Sequence, residues 1–140
     1  MISLLKFFRF LGPTLLFFGT FVVLPPLVLS HFNDVLDNHM LNIYLVCISY
    51  SVIVFFTLRQ SKFRYSPKDG FVITFLTWLI ISLLASIPFL NSKITFFDAL
   101  FEAVSGLTTT GSTVIKDLSK LPDHVLLYRQ LLQWAGGVGL

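Results

Sequence analysis

Charge is what this sequence has least of. Asp, Glu, Lys and Arg together make up 12% of its 140 residues, about half the ~25% of an ordinary soluble domain. Hydrophobic residues reach 55%, sixteen of them phenylalanine, and the mean hydropathy is +0.83. A soluble fold of this size could not cover so much apolar surface with so little polar material. The composition is that of an integral membrane protein. Cysteine is nearly absent too: Cys47 stands alone in an apolar run, which excludes a disulfide framework and a thiolate metal site. The formal charge of +3 is too small and too scattered for a nucleic-acid partner. Paired intramembrane carboxylates, His/Cys metal spacing and a nucleophile–base arrangement are also missing, so neither an enzyme nor a resident cofactor is expected.

What is present is long apolar runs. A bilayer-spanning helix needs about 20 apolar residues, and three stretches reach that length: about Phe10–Leu29, Met40–Leu58 and Phe71–Leu90. The first is interrupted at Gly12-Pro13 and closed by Pro25-Pro26. The third carries Trp78 within it and Pro88 near its end. Such residues are tolerated in a span when neighbouring helices satisfy the freed backbone groups. A secretory signal is the other reading of the first run, since Lys6 and Arg9 precede it. Its apolar core is long for a signal peptide, and no A-x-A-like cleavage site follows.

The few charges sort by loop. Lys6 and Arg9 precede the first span. The next loop has Asp34 and Asp37 with no Lys or Arg. The loop "RQSKFRYSPKDG" then sets Arg59, Lys62, Arg64 and Lys68 against Asp69. The positive-inside rule makes the N-terminus and the 59–69 loop cytoplasmic, so the third span exits to the outside near Leu90.

Beyond it the pattern changes. Thr95 followed by Asp98 resembles a capping box, although Asp is a weaker partner there than Glu or Gln. The helix expected over 95–107 would reach only about 20 Å of a roughly 30 Å hydrocarbon core, so it reads as re-entrant or interfacial. Next come "TTTGST", Thr108 to Thr113, and a helix from about residue 123, opened by Pro122 and Asp123 and still running at Leu140. The chain therefore reads as the N-terminal piece of something larger.

A short helix entering from outside turns its C-terminal end, with its partial negative charge, toward the bilayer centre, which favours a cation. The segment after it can stay extended and turn carbonyl oxygens to a central axis, replacing the water shell of an alkali ion. Gly111 supplies backbone angles closed to other residues, and threonine hydroxyls add oxygen ligands. No carboxylate lies within 108–113, which suits a weakly held monovalent ion. The plainer reading is a surface loop joining two helices, since loops favour these residue types. Its place between a too-short helix and an inward span argues for the ion site.

The stretch "FFDALFEAVSGLTTTGSTV", with "LPDHVLLYRQLLQWAGGVG" after it, closely resembles the Trk/Ktr superfamily of potassium transporters, above all the membrane subunit of bacterial Trk uptake systems. The resemblance covers essentially the whole chain. It implies an all-α membrane fold in two parts: a leading helix pair and cytoplasmic loop over 1–69, then the first pore repeat over 70–140. That repeat would comprise outer helix 71–90, pore helix 95–107, filter 108–113 and an incomplete inner helix from about 123. Thr109, Thr110, Gly111 and Ser112 would stand where a potassium channel has T-V-G-Y, one quarter of a selectivity filter, with potassium the only metal and the transported ligand. Thr108, Thr113, Glu102 and Arg129 would support it. The family also implies three further repeats in one polypeptide, a homodimer of that subunit, a cytoplasmic nucleotide-binding regulatory ring and residence in the bacterial plasma membrane. Some relatives carry serine at the filter glycine, so Gly111 favours potassium over sodium. The alternative is a truncated, non-conducting membrane protein or assembly partner.

Four further groups complete the reading. Asp98 and Glu102, four apart, share a helix face; Glu102 either braces the loop through Arg129, faces an outer vestibule with Asp98, or simply meets water. If the pair forms, exchanging its two charges should preserve transport. His31, Asp34, Asp37 and His39 read as a solvated loop rather than a metal site. Gly136, Gly137 and Gly139 read as a close-packing helix surface, because a dinucleotide fingerprint needs a strand before it and its third glycine. Trp78 and Trp134 read as packing residues.

Overall fold

The computed structural model describes residues 4–33, 36–58, 66–92 and 94–139. Asp34, Arg59, Lys62 and Arg64, used above to orient the chain, lie outside the described residues. Within them the chain is helical and contains no strand. Three helices are long and apolar enough to cross a membrane: Leu5–Phe32, Asn38–Leu58 and Pro67–Ser92.

The first is continuous but irregular. Helix α1 (Leu4–Phe17) passes through a π-helical turn, Phe18–Val23, into α2 (Leu24–Phe32). Pro25 and Pro26 do not close this helix; they sit in the first turn of α2. A proline ring clashes with the carbonyl four residues back and cannot bond to it. The widened turn just before absorbs the conflict, with the Leu24 N–H reaching Gly19 O. Pro13 lies inside α1. One residue before it, the Gly12 carbonyl accepts the Ser51 hydroxyl of the neighbouring helix at 2.8 Å.

Helix α3 (Asn38–Leu58) packs on α1, and a Cβ at Gly12 would come within 2.8 Å of Val54 Cγ1. Helix α4 (Pro67–Ser86) continues as a 3₁₀ turn through Ile87–Ser92. It starts earlier than hydropathy alone suggests, because Ser66 and Asp69 form a complete capping box around Pro67.

Polar ties fix which ends meet. Lys6 Nζ pairs with Asp69 Oδ2 at 2.8 Å, and Arg9 Nη1 donates to Leu58 O at 2.9 Å. The starts of α1 and α4 and the end of α3 therefore share one end of the bundle. At the other end, Asn91 Nδ2 donates to Asp37 Oδ1 at 2.7 Å, joining the turn after α4 to the start of α3. Helices α5 (Phe96–Leu107) and α6 (Asp123–Val138) also begin at this second end. They pack on each other and on α4 and α2, around a core that includes Phe18, Val22, Met40, Phe89, Tyr128 and Leu132. The outward faces remain apolar: Phe71, Phe97 and Phe56 are 81%, 79% and 75% exposed. Rings of that size standing free in water would be costly, whereas in lipid they are solvated.

Candidate functional site

Helix α5 begins with the Thr95/Asp98 capping box, both halves of which form. Its 12 residues extend about 18 Å. The close fit of its last residues on α6 sets the depth it reaches. A Cβ at Gly136 would lie 1.9 Å from the Leu107 carbonyl oxygen, and one at Gly106 would lie 3.1 Å from Leu132 Cβ. Gly136 is thirteen residues into α6, about 20 Å from that helix's start. Helix α5 and the chain after it thus form a hairpin that enters the bundle and returns to the same end.

The turn at the hairpin's tip is a Schellman motif. Thr109 N–H donates to Gly106 O at 2.9 Å, and Thr110 N–H to Ser105 O at 3.0 Å. The left-handed residue such a motif requires is most often glycine. Here it is Thr109, with φ 58°. A β-branched residue in that region is strained by roughly 1–2 kcal/mol. Gly111 follows, also left-handed at φ 74°. The Gly111 N–H joins that of Thr110 on Ser105 O, at 3.3 Å. Because trans peptides set C=O opposite N–H, the carbonyls of Thr109 and Thr110 point together away from α5.

The next two carbonyls turn the other way. Gly111 O accepts from Arg129 Nη2 at 2.8 Å, and Ser112 O accepts from the Ser105 hydroxyl at 2.7 Å. Within 108–113, the carbonyls of Gly111 and Ser112 are thus held from the side of α5 and α6.

Glu102 and Arg129 hold that rear face. Glu102 is 1% exposed and Arg129 7%. Glu102 Oε2 accepts from Arg129 Nε at 3.2 Å, while Oε1 accepts the Thr113 hydroxyl at 2.5 Å and the Val114 N–H at 2.8 Å. Burying two charges is tolerable only when the pair is well formed and its remaining polar positions are satisfied. The loop supplies those partners. Thr108 Oγ1 returns to Val104 O at 2.8 Å and lies 2.9 Å from Thr110 Oγ1. Asp98 belongs to the capping box and plays no part in this brace. Residues 108–114 are exposed on their outward side. Beyond them Asp117 caps the turn Leu118–Lys120, and the Ser119 hydroxyl, then Lys120, hold its carboxyl below the ordinary value.

Ser105 went unnoticed in the sequence, although it ties two N–H groups and one carbonyl of the turn. Its spacing of three from Glu102 places it on the same helix face, which was the available signal. Asp37 does not lie in a solvated loop. It is 4% exposed and caps α3, accepting from His39 N–H at 2.9 Å and Met40 N–H at 3.2 Å, while His31 and His39 remain at the surface. Among the described residues no three or more His, Cys, Asp or Glu are grouped to hold a metal ion. Trp134 stacks on Phe17 at 6.3 Å, and Trp78 packs against the core.

Fold and loop together define a multi-pass, all-helical membrane protein with a buried ion pair behind an exposed Thr/Gly turn. Comparison with known proteins narrows that class: residues 36–140 match the family model for TrkH, described as a cation transport protein, and the chain belongs to that family. Relatives named Trk system potassium uptake protein TrkH include that of Vibrio parahaemolyticus, 37% identical, and that of Salmonella typhimurium, 34% identical, each over 94% of this chain. TrkG of Escherichia coli, also named a Trk system potassium uptake protein, is 36% identical over 84% of this chain. The chain spans about 28% of the length of the two TrkH relatives and about 25% of TrkG. All three relatives are named as transport proteins rather than enzymes.

Proposed function

We propose that this chain forms one wall of a potassium pathway, as the N-terminal part of a Trk-type uptake subunit. The observation that carries the reading is the braced turn. A half-length helix ends in two outward-facing carbonyls, Thr109 O and Thr110 O, while a buried Glu102–Arg129 pair fixes the backbone behind them. Rigid oxygen ligands of this kind can replace the hydration shell of an alkali ion, and the carbonyl end of α5 adds favourable potential. Thr109, Thr110, Gly111 and Ser112 are the ion-facing segment. Gly111 O and Ser112 O share their lone pairs with the brace, so Thr109 and Thr110 carry most of the coordination. Thr108 and Thr113 steady the turn.

In this reading residues 1–69 are the leading helix pair and 70–140 a pore repeat, with α4 outer, α5 the pore helix and α6 the start of the inner helix. The Lys6/Arg9 end is cytoplasmic in a bacterial plasma membrane, and the turn is reached from outside. Three further walls complete the filter. A homodimer and a cytoplasmic nucleotide-binding ring are the expected assembly.

The test is growth at limiting potassium of cells lacking their own uptake systems. The chain joined to three further helix–turn–helix repeats should restore growth, and the same protein carrying Arg129→Gln should not. Restoration that is indifferent to Arg129, or growth rescued only by sodium, would count against the reading. Three such repeats in the coding sequence downstream of Leu140 would supply that protein directly.

A further inference from the structure

At the end of the bundle that holds Lys6 and Arg9, helices α1 and α3 leave a groove between them, a cavity of about 260 Å³. Its floor is Gly12, Ser51 and Val54, all buried, where the close approach of Gly12 to Val54 shuts the space between the helices. Its rims are exposed: Pro13 and Leu16 on α1, and Phe55 on α3. The lining positions keep helical spacing, 9, 13 and 16 on one helix and 51, 55 and 58 on the other, so the groove runs along both axes. From Arg9 to Leu16 it is about 10 Å long. The two helices run antiparallel, which brings Arg9 and Leu58 together at the mouth, where Arg9 Nη1 donates to Leu58 O at 2.9 Å.

The lining divides by chemistry. Along its length the groove offers almost only carbon, because the one hydroxyl on its floor, that of Ser51, is already shared between Gly12 O at 2.8 Å and Cys47 O at 2.7 Å. Its one charged group, the Arg9 guanidinium, stands at the mouth. The matching occupant is an apolar chain that carries a negative group at one end. Charge around the mouth agrees: among the described residues Lys6, Arg9 and Lys68 are set against Asp69, which leaves this end of the bundle positive. A guanidinium is a planar fork suited to phosphate oxygens, and basic pockets between membrane helices at headgroup level attract anionic lipids. We infer that the groove binds one anionic phospholipid, with an acyl chain lying between α1 and α3 and the phosphate on Arg9. The bound lipid ties the start of α1 to the end of α3 beside the interruption at Pro13. This site is separate from the ion pathway, since none of its residues belongs to the 108–113 turn or its brace.

The test is native mass spectrometry of the purified protein in detergent, with phosphatidylglycerol and phosphatidylcholine supplied in equal amounts. The parent should retain phosphatidylglycerol about fivefold over phosphatidylcholine, the discrimination expected of one basic group at the membrane surface, and its thermal midpoint should rise with the anionic lipid alone. Arg9→Gln should bring the two lipids to equal retention. Leu16→Trp fills the groove from its exposed rim and should lower phosphatidylglycerol retention severalfold with Arg9 intact. Should Arg9→Gln fail to fold for want of its bond to Leu58 O, Leu16→Trp decides alone. Lys68→Gln, which alters an exposed charge outside the groove, should keep the parent's preference. The proposal is overturned by equal retention in the parent, by a preference that survives Arg9→Gln or Leu16→Trp, or by one lost in Lys68→Gln. Displacement by glycerol phosphate would overturn it in favour of a free phosphate ester, and a lipid-free dimer of this protein in favour of a second copy in the groove.

Discussion

Thr109 and Arg129 concentrate most of the site's chemistry. Thr109 occupies a left-handed position that glycine would fill without strain. Thr109→Gly should therefore leave stability unchanged or raise it by up to about 1 kcal/mol, since relief of strain is partly offset by a freer unfolded chain. Equilibrium unfolding in detergent measures this; a loss of more than about 1 kcal/mol would mean that the Thr109 side chain holds the turn. Arg129→Gln leaves Glu102 buried and unpaired, which should cost about 3–5 kcal/mol. The sequence suggested that exchanging the two charges would preserve function. The geometry predicts otherwise, because Arg129 also donates to Gly111 O while Glu102 also accepts from Thr113 and Val114. An arginine on α5 cannot accept those bonds. The exchanged double variant should therefore recover little of the stability lost in either single one, and recovery to near the parent would show that the pair acts by charge alone.

At the scale of elements, the hairpin of α5 and α6 depends on backbone contact at Gly136. A methyl there would meet the Leu107 carbonyl at 1.9 Å, and backbone cannot yield as a flexible side chain can. Gly136→Ala should separate the two helices and destabilise the fold by about 3 kcal/mol, at the upper end of overpacking effects. Gly137→Ala, whose nearest neighbour would be Thr109 Cγ2 at 3.7 Å, should be nearly neutral in the same assay; equal effects would contradict the packing account. The cap of α4 offers a milder case. Ser66→Ala removes one half of the capping box around Asp69 and should cost about 1 kcal/mol, read from the same unfolding curves.

For the molecule as a whole, the three helices long and apolar enough to cross a membrane were legible because each is a long apolar run with charges confined to its ends. Of the three glycines expected to form a packing surface on α6, Gly136 does so against Leu107, whereas Gly137 makes only ordinary contact and Gly139 is instead the left-handed cap that ends the helix. The behaviour of Pro25-Pro26 was not legible. Proline usually ends a helix, and only the neighbouring π turn, which leaves no compositional mark, lets this one continue. Asp37 was misjudged for a related reason. Whether a loop aspartate faces water or a buried cap depends on Asn91 and His124, which lie 54 and 87 residues away along the chain. The brace itself was half legible: Glu102 and Arg129 could be paired by the cost of burying either alone, but their division of labour over four loop groups is a tertiary fact. So is the orientation of the four carbonyls, which follows from where Ser105 and Arg129 sit.

The central claim is that residues 108–113 form a potassium-facing wall whose geometry depends on Gly111. A Cβ at Gly111 would make only ordinary contact, 3.9 Å from Gln133 Nε2, at a left-handed φ of 74°, so Gly111→Ser acts through the backbone angle rather than through a clash. The decisive measurement is the potassium-over-sodium preference, from bi-ionic reversal potentials in proteoliposomes, of the complete assembly containing this chain with and without that substitution. The parent should prefer potassium, and Gly111→Ser should abolish most of that preference while the protein remains folded. An unchanged preference in Gly111→Ser, or a parent that carries sodium as readily as potassium, would contradict the account.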